Sequence, residues 1–111
     1  MTTRETLPPR RPSQSFDFHH VNQGGHSFRY KATAGYYPDG RLGEVFLSAS
    51  KITTDMDVAA RDMAILLSIA LQHGADREKI SAAMTRQPNG KPLGVAGTLL
   101  DIIDELEGEA S

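Results

Sequence analysis

A short turn between two alternating segments constrains this chain more than any other feature. Pro38-Asp39-Gly40-Arg41 supplies proline to preset φ and glycine to take the left-handed conformation, which suits a four-residue hairpin loop. Apolar and polar residues alternate with period two from His26 to Tyr36, and strand residues resume after the turn through Leu47. The turn then sets a register in which Tyr37 faces Leu42, Ala34 faces Val45 and Ala32 faces Leu47. Phe28, Tyr30, Ala32 and Ala34 share a face with Val45, Leu47 and Ala49, whereas a slip of one residue would put Glu44 there. This register leaves Tyr37, Leu42 and Phe46 on the otherwise polar face as a candidate protein-docking patch. Scattered surface apolar residues account for them equally well.

The flanking sequence extends the hairpin into a meander. Ser15 to Val21 alternates, with Phe16, Phe18 and His20 on one face, and Asn22-Gln23-Gly24-Gly25 supplies a second turn. Beyond Ala49 the period changes. Thr53, Thr54 and Asp55 are candidate caps for a helix over Val58 to His73, with Gly74 as its stop. Met63, Ile65, Leu66, Leu67, Ile69, Ala70 and Leu71 cover more than one side of that helix, which predicts a central element packed on the sheet and on other helices. A shorter helix follows from Asp76, with Ile80, Ala83 and Met84 inward and Arg77, Glu78 and Lys79 exposed. After the Gln87 to Pro92 loop comes an amphipathic helix with Val95, Leu99, Ile102, Ile103 and Leu106 on its apolar stripe. Strands followed by helices predict an α+β fold, a three-stranded antiparallel β-meander with three helices packed on one face. At 111 residues the chain is one domain's worth. Residues 1–14, rich in Pro and Arg, read as a flexible arm, 15–107 as the single domain and 108–111 as a frayed tail.

Charge is uneven. Residues 1–31 carry five Lys/Arg against two Asp/Glu, and residues 93–111 carry five acidic residues with no Lys or Arg, within a net charge of −2. That is far from the concentrated positive charge of a dedicated nucleic-acid binder. With no cysteine, disulfides, thiolate metal sites and thiol catalysis are excluded. No apolar run approaches the length that spans a bilayer and no leader precedes the arm, so a cytoplasmic location without membrane association is expected.

The sequence assembles no reaction centre. His19 and His20 are adjacent and point to opposite faces of a strand, while His26 lies at a turn and His73 at a helix end, so no metal site is expected. Asp101, Asp104 and Glu105 read as the wet face of the last helix. No serine sits in a nucleophile elbow. Arg10, Arg11, Arg29 and Lys31 could form a modest basic strip for an anion or nucleic acid, with Tyr37 and Phe46 as stacking partners. A solvated sheet face is the plainer account.

The run from Gly35 to Leu47 resembles a segment of the C-terminal region of adenosylcobalamin-dependent ribonucleoside-diphosphate reductases. Met63 to Gly74 is similar to the helix that follows it there, and Leu7 to Arg11 to its basic lead-in. Over residues 7–86 the chain resembles the TSCPD domain family, found inside those reductases and as short separate proteins. Where the family's name-giving cysteine motif is expected, this chain has Leu93-Gly94-Val95-Ala96-Gly97. The resemblance implies a non-catalytic accessory or interaction domain in a deoxynucleotide-synthesis setting. Reductase chemistry needs several cysteines and a large barrel, so no enzyme activity and no cofactor are expected. The partner would be a protein, whether a reductase or a second copy of the chain. Binding of a nucleotide or single-stranded nucleic acid on the basic sheet face is the alternative.

Overall fold

Alternation and turn chemistry produce the expected sheet. A computed structural model describes residues 3–51 and 54–110, so the candidate cap Thr53 lies outside the described residues. Strands β1 (Ser13–Val21), β2 (Ser27–Tyr36) and β3 (Leu42–Ala49) form an antiparallel sheet in that order. Helices α1 (Asp55–Gln72), α2 (Arg77–Ala83) and α3 (Val95–Ala110) follow, which makes the fold α+β. The predicted pairs Ala34 with Val45 and Ala32 with Leu47 are present. The core face of the sheet is Phe18, Tyr30, Ala32, Ala34, Val45, Leu47 and Ala49, and α3 closes it with Leu99, Leu100 and Ile103, all at most 1% exposed. Leu100 lies outside the predicted stripe and is nonetheless buried. Ala83, expected inward on α2, is exposed, while Ile80 and Met84 pack on the core. Arg77, expected exposed, is instead partly buried.

The hairpin register changes at its tip. Gly35 pairs with Glu44 but Tyr36 pairs with Leu42, so Gly43 is an extra residue in β3. A bulge of this kind puts the side chains before and after it out of alternation, so that the one before it turns to the other face. Leu42 therefore enters the core at 5% exposure, not the outer face where an unbroken register would put it. Glycine is required at this bulge, since a Cβ at Gly43 would lie 2.7 Å from the Tyr37 ring and 2.8 Å from Leu7.

Helix α1 begins at the Thr54 cap, whose hydroxyl accepts from Asp57 N–H at 3.1 Å. It ends at His73, where Gly74 takes φ +88°. It lies along the open edge of β3 and satisfies that strand's outward backbone groups with its side chains. Asp57 Oδ1 accepts from Ala49 N–H at 2.8 Å and Gln72 Nε2 donates to Gly43 C=O at 2.9 Å. Ser68 Oγ accepts from Val45 N–H at 2.9 Å and lies 3.0 Å from Val45 C=O, within donor range. Ala60 and Ala64, each 2% exposed, let the helix come this close.

The N-terminal segment, expected as a free arm, is tied down. Glu5 N–H donates to Gln72 C=O at 2.7 Å, Arg4 Nε to Gln72 Oε1 at 2.6 Å, and Arg11 forms a two-pronged pair with Glu44. The far end stays helical through Ala110, where a frayed tail was expected.

Two outcomes follow. Ser68→Ala strips the outward N–H and C=O of Val45 of their partner and is expected to cost about 1–3 kcal/mol in urea unfolding, the usual penalty of an unsatisfied buried group. The Asp101 carboxyl is held below its ordinary range by hydrogen bonding to Arg86, at 2.9 Å through both oxygens. A depressed folded pKa means that this contribution is present above about pH 4 and is lost as pH falls further. Asp101→Asn should therefore lower Tm at neutral pH and flatten its decline in acid, as read by a thermal-melt series.

Candidate functional site

Helix α1 presents two chemically different sides. The side towards the sheet carries Asp57, Ala60, Ala64, Leu67, Ser68, Leu71 and Gln72, spaced to lie along a strand edge and the core beside it. The opposite side carries Val58, Ile65, Leu66 and Ile69, and these are exposed, with Ile65 at 55% and Leu66 at 70%. Helix α1 is thus not the central, surrounded element that its apolar richness predicts. A three-stranded sheet and two other helices cover only part of its circumference.

Phe46 joins this surface from the sheet. It projects from the outer face of β3 at 58% exposure, and with Ile65 it lines a cleft of about 400 Å³ that also includes Lys31, Thr33, Ser48 and Arg61. On the other flank Leu66 borders a groove of about 270 Å³ walled by Met63, Ala70, Ile80, Met84 and Leu100. Of the six large apolar side chains most exposed among the described residues, five belong to this band, and Val21 alone stands apart. Scatter would not place them together, and contiguous apolar surface of this kind marks interaction sites.

The larger cleft, about 680 Å³, mixes charged and apolar residues. It lies between the hairpin tip, the α1–α2 turn and the end of α3, lined by Asp39, Arg41, Asp76, Arg77, Glu78 and Glu107 among others. Both of its arginines are ion-paired: Arg77 with Asp104 at 2.6 Å and Glu107 at 2.5 Å, and Arg41 with Glu5 and Asp39, each at 2.7 Å. Burial, reinforced by Glu107, pushes the Tyr36 hydroxyl above the ordinary tyrosine range.

The residues singled out from sequence divide. Phe46 is exposed as expected. Tyr37 is not: it is 3% exposed, its hydroxyl donates to Glu5 C=O at 2.8 Å and the Arg41 guanidinium sits 4.6 Å above its ring. The arm covers it, as the bulge removes Leu42. Of the four residues expected in a basic strip, two are ion-paired. Arg11 is committed to Glu44 and Arg29 to Asp17, while Arg10 and Lys31 remain exposed well apart in sequence, Lys31 on the outer face beside Phe46. His20 is buried, with Nδ1 2.9 Å from Thr98 Oγ1, and among the described residues no cluster of three metal-ligating side chains occurs.

Ile65, Leu66 and Ile69 are the residues that sequence reasoning misassigned. The signal was available in the polar residues Asp57, Ser68 and Gln72, whose helical spacing marks a side of α1 apposed to a strand edge. The apolar residues opposite them then had no second layer to meet.

No protein-family profile matches the chain, and no solved structure does. Over 107 residues it is 32% identical to a vitamin B12-dependent ribonucleotide reductase of Rhodopirellula baltica, a match that takes in 90% of this chain. The chain spans about a tenth of that protein's length, 10%. It is thus related in sequence to a small part of a ribonucleotide reductase.

The two sides of α1 should respond oppositely to substitution. Ile65→Lys with Leu66→Lys should leave folding stability within about 1 kcal/mol, as surface changes do. Leu67→Ala, one residue further round, should cost about 2–5 kcal/mol. Urea unfolding of both variants checks the assignment.

Proposed function

We propose that this chain is a non-catalytic interaction domain of the TSCPD type, related to an accessory part of ribonucleotide reductases, that docks on a protein partner through the outer side of α1. The observation that carries this reading is the exposure of Val58, Ile65, Leu66 and Ile69 on one side of α1, with Phe46 beside Ile65. Such side chains supply the desolvated centre of an interface, and Phe46 is the aromatic anchor among them. Arg61, paired with Asp57 at 2.9 Å, borders the band, and the exposed Asp62 lies within it between Val58 and Ile65. The sequence similarity points to a ribonucleotide reductase as the partner, and the cysteine-free composition supports a role beside the chemistry rather than in it.

A second reading has one observation in its favour. Phe46 and Lys31 line the same cleft, an aromatic face next to a cation, which is the pairing that holds a base and its phosphate. The diversion of Arg11 and Arg29 into ion pairs leaves it less positive charge than a nucleic-acid surface uses.

Titration of the purified chain against the ribonucleotide reductase of its own host distinguishes the two. Saturable binding that weakens by about tenfold or more with Ile65→Lys and Leu66→Lys is expected, a loss of about 1.4 kcal/mol. Absence of binding, or binding untouched by those changes, overturns the docking reading. Binding of a single-stranded oligonucleotide that falls steeply with salt and is lost with Lys31→Glu would establish the second.

A further inference from the structure

The two edges of the sheet are treated differently. On β3 the outward N–H and C=O groups meet Asp57, Ser68 and Gln72 of α1. On β1 nothing comparable occurs. Bonds at both ends set the phase of the β1–β2 ladder: Asn22 N–H donates to His26 C=O at 2.9 Å and Tyr36 N–H to Pro12 C=O at 2.9 Å. Even-numbered residues of β1 therefore bond to β2, and Ser13, Ser15, Asp17, His19 and Val21 turn their backbone groups outward. Among the described residues no hydrogen bond reaches those outward groups. Over its nine residues β1 has no bulge, no proline and no lysine, the devices that keep an edge strand from pairing.

We propose that β1 pairs antiparallel with β1 of a second copy of this chain, joining two three-stranded sheets into one of six strands. Charge selects the occupant and the register. Within each sheet Asp17 lies opposite Lys31 and His19 opposite Arg29 on the outer face, and Arg29 also pairs with Asp17. Placing Asp17 against Asp17 of the second copy would oppose two carboxylates, which is destabilising. Moving the register so that Phe18 faces Phe18 puts Asp17 opposite His19 of the second copy, twice by symmetry. The outer face then reads Lys31, Asp17, His19, Arg29 across the seam, each carboxylate beside a donor.

The same register suits the backbone and the core. Outward-turned residues meet outward-turned residues, Asp17 with His19 and Ser15 with Val21, so each of these pairs can exchange hydrogen bonds. On the core face Phe16, half-buried and 6.1 Å from the Phe18 ring, gains a neighbour in His20 of the second copy. The surface is separate from the outer side of α1, which lies beyond the opposite edge and stays free.

Sedimentation velocity over a concentration series, with amide hydrogen exchange, tests the pairing. A dimer is expected, with the amides of Ser15, Asp17, His19 and Val21 protected at high concentration and exchanging freely on dilution. Ser15→Pro removes an outward N–H without touching the β1–β2 ladder and should abolish the dimer while far-ultraviolet circular dichroism is unchanged. Should that variant fold poorly, the exchange pattern of the wild-type protein decides alone. A monomer at all concentrations, or a dimer in which those four amides stay unprotected, overturns the proposal.

Discussion

The seam between α1 and β3 is the contact on which the rest of this structure depends. A three-stranded sheet of this size has two edges, and each exposes backbone groups that must be hydrogen-bonded by something. Here a helix takes the place of a fourth strand, with Asp57, Ser68 and Gln72 bonding the strand edge. The arrangement demands small residues on the helix, which Ala60 and Ala64 provide, and it fixes the rotation of α1 about its own axis. Once that rotation is fixed, Leu67 and Leu71 face the core and Ile65, Leu66 and Ile69 face solvent. The apolar band is a consequence of how the edge is closed.

The hairpin tip shows a second coupling, between the bulge and the N-terminal segment. Gly43 admits the Tyr37 ring and Leu7 at distances no side chain would allow. Gly35 does the same for Glu44, whose carboxylate lies where a Cβ would project and is held there by Arg11. Residues 4–11 thus act as a strap over the outer face at this end, and Gln72 at the end of α1 ties strap and strand together. The remainder of the outer face, around Lys31 and Phe46, stays open.

Much of the fold was legible because it follows from periodicity and turn chemistry. Alternation points to the strands and Pro38 to Arg41 to the hairpin, while three candidate caps, of which Thr54 is the one used, and Gly74 bracket α1. What was not legible depended on contacts between segments distant in sequence. The bulge that buries Leu42 requires Tyr37 and Leu7 to crowd Gly43, and a two-residue period cannot signal it. Tyr37 left the expected docking patch because the arm, which looked too polar to pack, covers it through backbone and arginine contacts. The outer side of α1 was misassigned because hydrophobic content reports how much surface is apolar, and not whether the chain has enough other elements to bury it.

A helix laid along one border gives this sheet a direction of growth. Strands can be added at β1 but not at β3, where the hydrogen-bonding groups are already spoken for. A sheet open on both sides can recruit copies without end, in the manner of a fibril, whereas one open on a single side is exhausted by the first symmetric addition. The same three polar side chains that complete the monomer therefore also set a limit of two on any assembly built through its strands.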